Sequence, residues 1–137
     1  MIEWTKVASG LRFPEGPVAM PDGSVILVEI AAGRITRVRS DGAMETVAEP
    51  GGGPNGLAIG PDGKLYCCNN GGFNWIDANG YLAPHGQADD YSGGRIERTR
   101  AASEPTSSLS IPSTKTLVVP STPNLIPVGG SGRIAWL

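Results

Sequence analysis

Short apolar runs separated by turn-forming residues fill the first hundred positions of the chain. Val25-Ile26-Leu27-Val28 follows a Pro21-Asp22-Gly23 turn, and Gly33-Arg34-Ile35-Thr36-Arg37-Val38 alternates polar and apolar residues as a half-buried strand does. A Ser40-Asp41-Gly42 turn then leads into Met44-Glu45-Thr46-Val47-Ala48, a further strand. No long window carries helical periodicity. The pattern predicts an all-β chain assembled from units of four short strands.

The unit repeats. Residues 14–27 have a gap-free counterpart forty positions later, with Pro14/Pro54, Gly16/Gly56, Pro21/Pro61, Asp22/Asp62 and Gly23/Gly63 identical, and apolar residues agreeing at 18/58, 19/59 and 25/65. In each copy Pro-Asp-Gly supplies a tight turn: Pro presets φ, Asp bonds its own backbone, and Gly takes the positive φ. Four strands in about 40 residues, repeated, is the signature of a β-propeller blade. The blades fall near 8–50 and 51–100. The second is longer: Phe73-Asn74-Trp75-Ile76-Asp77 and Tyr81-Leu82-Ala83 flank an Ala78-Asn79-Gly80 turn before Gly94-Arg95-Ile96-Glu97-Arg98 repeats the Gly33-Arg34-Ile35-Thr36-Arg37 pattern. Residues 72–92 therefore read as an insertion within the second blade.

Composition changes after Arg100. Sixteen of the 37 residues from 101 to 137 are Ser, Thr or Pro, and the charges are Glu104, Lys115 and Arg133 alone, which predicts a loose, irregular tail or a disrupted third blade. Pro123-Asn124-Leu125-Ile126 echoes Pro54-Asn55-Gly56-Leu57 within it. Across all 137 residues, 11 Lys+Arg face 13 Asp+Glu, a net charge of −2, which gives no basic footprint for nucleic acid. No apolar run is long enough to span a membrane as a helix. The first ten residues lack the apolar core of a signal peptide. The two cysteines, adjacent at Cys67-Cys68, make no disulfide framework. A cytoplasmic protein free of nucleic-acid and membrane partners is expected.

Phe13-Pro14-Glu15-Gly16-Pro17-Val18, Pro21-Asp22-Gly23, Gly33-Arg34-Ile35-Thr36-Arg37-Val38 and Gly52-Gly53-Pro54-Asn55-Gly56-Leu57-Ala58 together resemble the amino-terminal part of the senescence-marker-protein/gluconolactonase/luciferin-regenerating-enzyme family, over about residues 8–100. The resemblance implies a six-bladed β-propeller, of which this chain holds about two blades, and hydrolysis of a sugar lactone by a divalent metal (Ca²⁺, Zn²⁺ or Mn²⁺) in the central channel. It gives Glu15 the place of a carboxylate metal ligand, Asn55 a channel-facing position that contacts substrate, and Asn124 the place of an amide ligand. The Asp that usually follows that Asn is Leu125 here, and the later-blade Asp that serves as ligand and base has no counterpart. The catalytic residues of this chain thus stay unassigned, and the expectation is a truncated member with reduced or no activity.

The chemistry of such a site is a hard cation that polarises the lactone carbonyl and lowers the pKa of a bound water, with a carboxylate base taking the proton. Plainer readings stand beside these. Glu15 and Asn55 also suit turns. Gly51-Gly52-Gly53-Pro54-Asn55-Gly56 fits a phosphate-loop spelling, but no helix follows it. Asp77-Ala78-Asn79-Gly80 lacks the remaining ligands of a calcium loop. Cys67 and Cys68 should point to opposite faces of a strand. His85 reads as a surface residue, Asp89-Asp90 as a solvated pair, and Trp75 and Tyr91 as packing side chains. The alternative function is a non-catalytic β-repeat module that self-associates to close a propeller, three copies of two blades completing a ring; a sugar-binding propeller without metal ranks behind it.

Overall fold

The computed structural model describes residues 1, 3–100 and 115–117. Asn124 and the rest of the Ser/Thr/Pro-rich stretch lie outside the described residues. Four antiparallel strands, β1 (Pro14–Ala19), β2 (Val25–Glu29), β3 (Arg34–Val38) and β4 (Met44–Ala48), form one sheet in sequential order. A second sheet runs β5 (Pro54–Ile59), β6 (Lys64–Asn69), β9 (Arg95–Arg100) and β10 (Lys115–Leu117), so its outer strand comes from within 101–137. Between β6 and β9 the chain makes a separate hairpin of β7 (Phe73–Ala78) and β8 (Tyr81–Gln87), the segment that lengthens the second copy. Among the described residues the one helical piece is a 3-10 turn at Ile30–Ala32.

The repeat holds down to single hydrogen bonds. In the first copy Met20 N–H donates to the Ser24 carbonyl and Gly23 N–H to that of Met20; in the second, Gly60 donates to Lys64 and Gly63 to Gly60. Asp22 and Asp62 each accept the backbone N–H two residues on, at 3.0 and 3.2 Å. Gly23 and Gly63 sit at φ +80° and +70°, as this turn requires. At the tip of the inserted hairpin Asn79 and Gly80 both take positive φ, the two-residue turn whose twist matches antiparallel strands.

The two sheets face each other across an apolar core. Ile26 and Val28 of β2 and Ile35 of β3 lie on one face of the first sheet and meet Leu65 and Cys67 of β6, all with 1% exposure or less. Period-two alternation places them there: Val28 pairs with Ile35, and Cys67 with Leu57. Its neighbour Cys68 is exposed, as successive strand residues demand.

The candidate functional site

The innermost strands, β1 and β5, approach at two glycines. A Cβ on Gly16 would sit 2.8 Å from the Leu57 nitrogen and 3.2 Å from the Gly56 Cα, and Gly16 itself holds φ +54°. Glycine is needed here both for backbone conformation and for the close contact. Beside this contact both strands are irregular: β1 slips register between Glu15 and Val18, and β5 between Pro54 and Gly56. Such bulges bend a strand and re-aim its side chains, and they recur next to active sites. Glu15 and Asn55 occupy these places at equal repeat positions, both exposed. Among the described residues neither side chain has a hydrogen-bond partner, so both keep their oxygens for something else.

Each strand start is clamped by a buried polar residue that sequence reading passed over. Glu29, with no exposed surface, accepts from the Arg12 backbone N–H (2.7 Å), Arg34 Nε (2.7 Å) and the Thr36 hydroxyl (2.6 Å). Burial alone would raise the Glu29 pKa, but the hydrogen bonds from Arg34, Thr36 and Arg12 outweigh it and hold the carboxyl below its usual value. Forty residues on, Asn69 does the corresponding work: its Oδ1 accepts the Gly53 and Gly71 N–H groups and its Nδ2 donates to the Gly51 carbonyl. Glu29 and Asn69 are thus positioning residues for the segments that carry Glu15 and Asn55. The repeat spacing links 29 to 69, yet a Glu and an Asn do not announce a common role.

Aromatic rings border the start of β1. Phe13, at φ +56°, makes a tilted ring contact with Trp75 at 5.0 Å, and Trp75 meets Phe73 edge-on at 6.1 Å. Trp75 also packs against the core, in keeping with its reading as a packing residue. The other sequence candidates are not brought to this place. Asp77 accepts the Gly80 N–H within its hairpin turn, Asp89 accepts from Asn74, and His85 is exposed on β8. A strand, β5, follows the glycine run at 51–53.

The described residues hold no group of three or more His, Cys, Asp or Glu side chains able to bind a metal. Glu15 and Asn55 offer one carboxylate and one amide oxygen, against the roughly six to eight oxygens that Ca²⁺ takes. They fit as part of a hard-cation donor set and do not complete one. No helix among the described residues is long and apolar enough to cross a membrane.

Residues 13–101, well over half of the chain, match the family model described as the SMP-30/Gluconolactonase/LRE-like region. The chain belongs to this family. Among solved structures it is similar to the PQQ-bound form of aldose sugar dehydrogenase from Streptomyces coelicolor, at 25% identity with a TM-score of 0.52. The match covers 82% of this chain and 32% of that one, so the chain spans about a third of that structure's length. No curated protein matches it. With this family and this likeness, the two four-stranded sheets are blades of a β-propeller, and Glu15 and Asn55 lie on the innermost strand of each.

Proposed function

We propose that the chain is part of a sugar-lactone hydrolase, with Glu15 supplying a carboxylate to a divalent cation and Asn55 an amide to the sugar. The single observation that carries this reading is the pair of exposed, unpartnered oxygen-bearing side chains at equal positions on two touching inner strands. Equal positions on successive blades converge on a propeller's axis, where a ligand meets several blades at once. An amide suits a hydroxylated ring because it both donates and accepts hydrogen bonds. A divalent cation, when bound, supplies electrophilic pull on a carbonyl and an acidified water. The remaining ligands and the base belong to residues beyond the described ones, Asn124 among the candidates, so the two blades alone have reduced or no turnover.

The test is calorimetric titration of the purified chain with Ca²⁺, Mn²⁺ and Zn²⁺, paired with acid release from gluconolactone. One of the ions should bind the wild type at least about tenfold more tightly than the Glu15→Ala variant, the scale of loss when a group at a metal site is removed. Equal affinity in the two proteins would remove Glu15 from the metal site. Ion-stimulated cleavage of an acyclic ester in preference to the lactone would overturn the substrate class.

A second reading, a self-associating β-repeat module, is favoured by one observation. Ile96 is 38% exposed, whereas its repeat equivalent Ile35 is 1% exposed beneath the second blade. The outer face of the second sheet thus leaves exposed an isoleucine that its counterpart in the first sheet buries, and a defined trimer in sedimentation would support ring closure by three copies.

A further inference from the structure

A cavity of about 460 Å³ opens between the two blades, lined by neither Glu15 nor Asn55, with Ile35, Thr46 and Ala48 on the first sheet and Cys67, Glu97 and Thr99 on the second. Its volume falls in the range of small-molecule sites. A sequence exchange explains its polarity. Thr36 in the Gly-Arg-Ile-Thr-Arg of the first blade becomes Glu97 in the Gly-Arg-Ile-Glu-Arg of the second, while the place of Glu29 is taken by Asn69. The carboxylate has moved one strand over, onto the face turned to the first blade, where it pairs across the ladder with Cys67.

The two carboxylates are treated very differently. Glu29 receives three donors, whereas Glu97, only 5% exposed, pairs through Oε1 with Arg95 and keeps Oε2 buried with no hydrogen-bond partner. An unmet buried carboxylate oxygen is expensive, and native proteins rarely leave one so. Arg95 is already committed, to Glu97, the Ser92 hydroxyl and the Pro50 carbonyl. Exposed Glu49 adds a second carboxylate to the lining, and no lining side chain is cationic. Cys67 adds no negative charge, because burial pushes its thiol up to about 12.

We propose that this interblade cavity binds a small organic cation with N–H donors and an apolar body, a primary alkylammonium. In the complex the Glu97 carboxyl turns Oε2, buried in the free protein, towards the cavity to accept from the ammonium; Thr46 and Thr99 of the lining take its other protons, and Ile35 and Ala48 receive the alkyl chain. A bare metal ion suits the cavity less well, since the described residues hold no three-ligand group. The site is independent of the lactone reading: it uses neither Glu15 nor Asn55.

The test titrates the full chain, by NMR chemical shift, with butylammonium, tetramethylammonium and 1-butanol. Butylammonium should bind saturably and at least about tenfold more tightly than the other two, the worth of a charged hydrogen bond. Glu97→Gln should lose about the same factor. Because that variant also weakens the Arg95 pair and with it the fold, Ala48→Phe, which fills the cavity and leaves Glu97 in place, provides a second arm and should abolish binding. The proposal is overturned if butylammonium fails to saturate the folded wild type. Equal binding of 1-butanol or tetramethylammonium, or unchanged affinity in a folded Ala48→Phe, overturns it as well.

Discussion

At the scale of single residues, the positions that repeat by identity were legible and those that repeat by role were not. Glu15 and Asn55 stand out because Pro, Gly, Pro, Asp and Gly recur around them at one offset. Glu29 and Asn69 do not, because their contacts reach 17 residues to Arg12 and 18 to Gly51, and their chemistry differs between copies. The Glu29 cluster makes a prediction with a definite sign. Its folded-state pKa lies below the ordinary glutamate value of 4.5, so its contribution to stability is present above that pH and is lost as pH falls through the folded value. Urea unfolding should therefore show a falling midpoint below about pH 4.5, and Glu29→Gln should flatten that acid limb while lowering stability at pH 7. A parallel acid limb in the variant would place the proton elsewhere. The glycines give a paired comparison. Gly23→Ala meets nothing within 4 Å and carries only the cost of φ +80°, about 1 kcal/mol, whereas Gly16→Ala adds a 2.8 Å clash with backbone and should cost about 3 kcal/mol. Equal melting temperatures for the two variants would mean that the strand contact at Gly16 is not rigid in solution.

At the scale of elements, alternation and turn chemistry gave nearly every strand of the first blade. Met44–Ala48 has the bounds its pattern predicts, and the Ala78-Asn79-Gly80 turn falls where β7 and β8 meet. The fourth strand of the second sheet, Lys115–Leu117, was hidden because its surroundings carry neither alternation nor an Asp-Gly turn. A three-residue strand pairing with β9 is specified by the ladder it joins more than by its own residues. What binds one sheet to the other is the Ile26, Val28, Ile35, Leu65 and Cys67 cluster, and Leu65 sits within it with no exposed surface. Leu65→Ala should lower unfolding free energy by about 2–5 kcal/mol, through lost burial and the cavity left behind. If the blades were independent units, the variant would unfold in two separated transitions, with the first-blade signal unmoved. A single transition shifted as a whole is the expected result of a shared core.

At the scale of the molecule, the repeat predicts which sheet face is left exposed among the described residues. Each blade has one face built to pack on the next: in the first sheet Ile26, Val28 and Ile35 fill it and are covered by β6. The same positions in the second sheet are Tyr66, Cys68 and Ile96, and there Cys68 is exposed and Ile96 is 38% exposed. Exposed Ala58 joins them on that face, opposite Tyr66. Arg98, opposite Tyr66, shares the face, so it is mixed, and its exposed apolar part favours association when nothing else covers it. The chain should therefore sediment as larger species with rising protein concentration, and Ile96→Lys should shift the distribution towards monomer with little change in melting temperature, because that side chain lies outside the core between the blades. Cys68→Ser, on the same face, should act in the same direction and more weakly, since it removes less apolar surface. A wild type that stays monomeric at every concentration, with Ile96→Lys lowering its stability, would instead show that the face is already covered from within the chain. That outcome would remove the self-associating module and leave the lactone reading to be decided at Glu15.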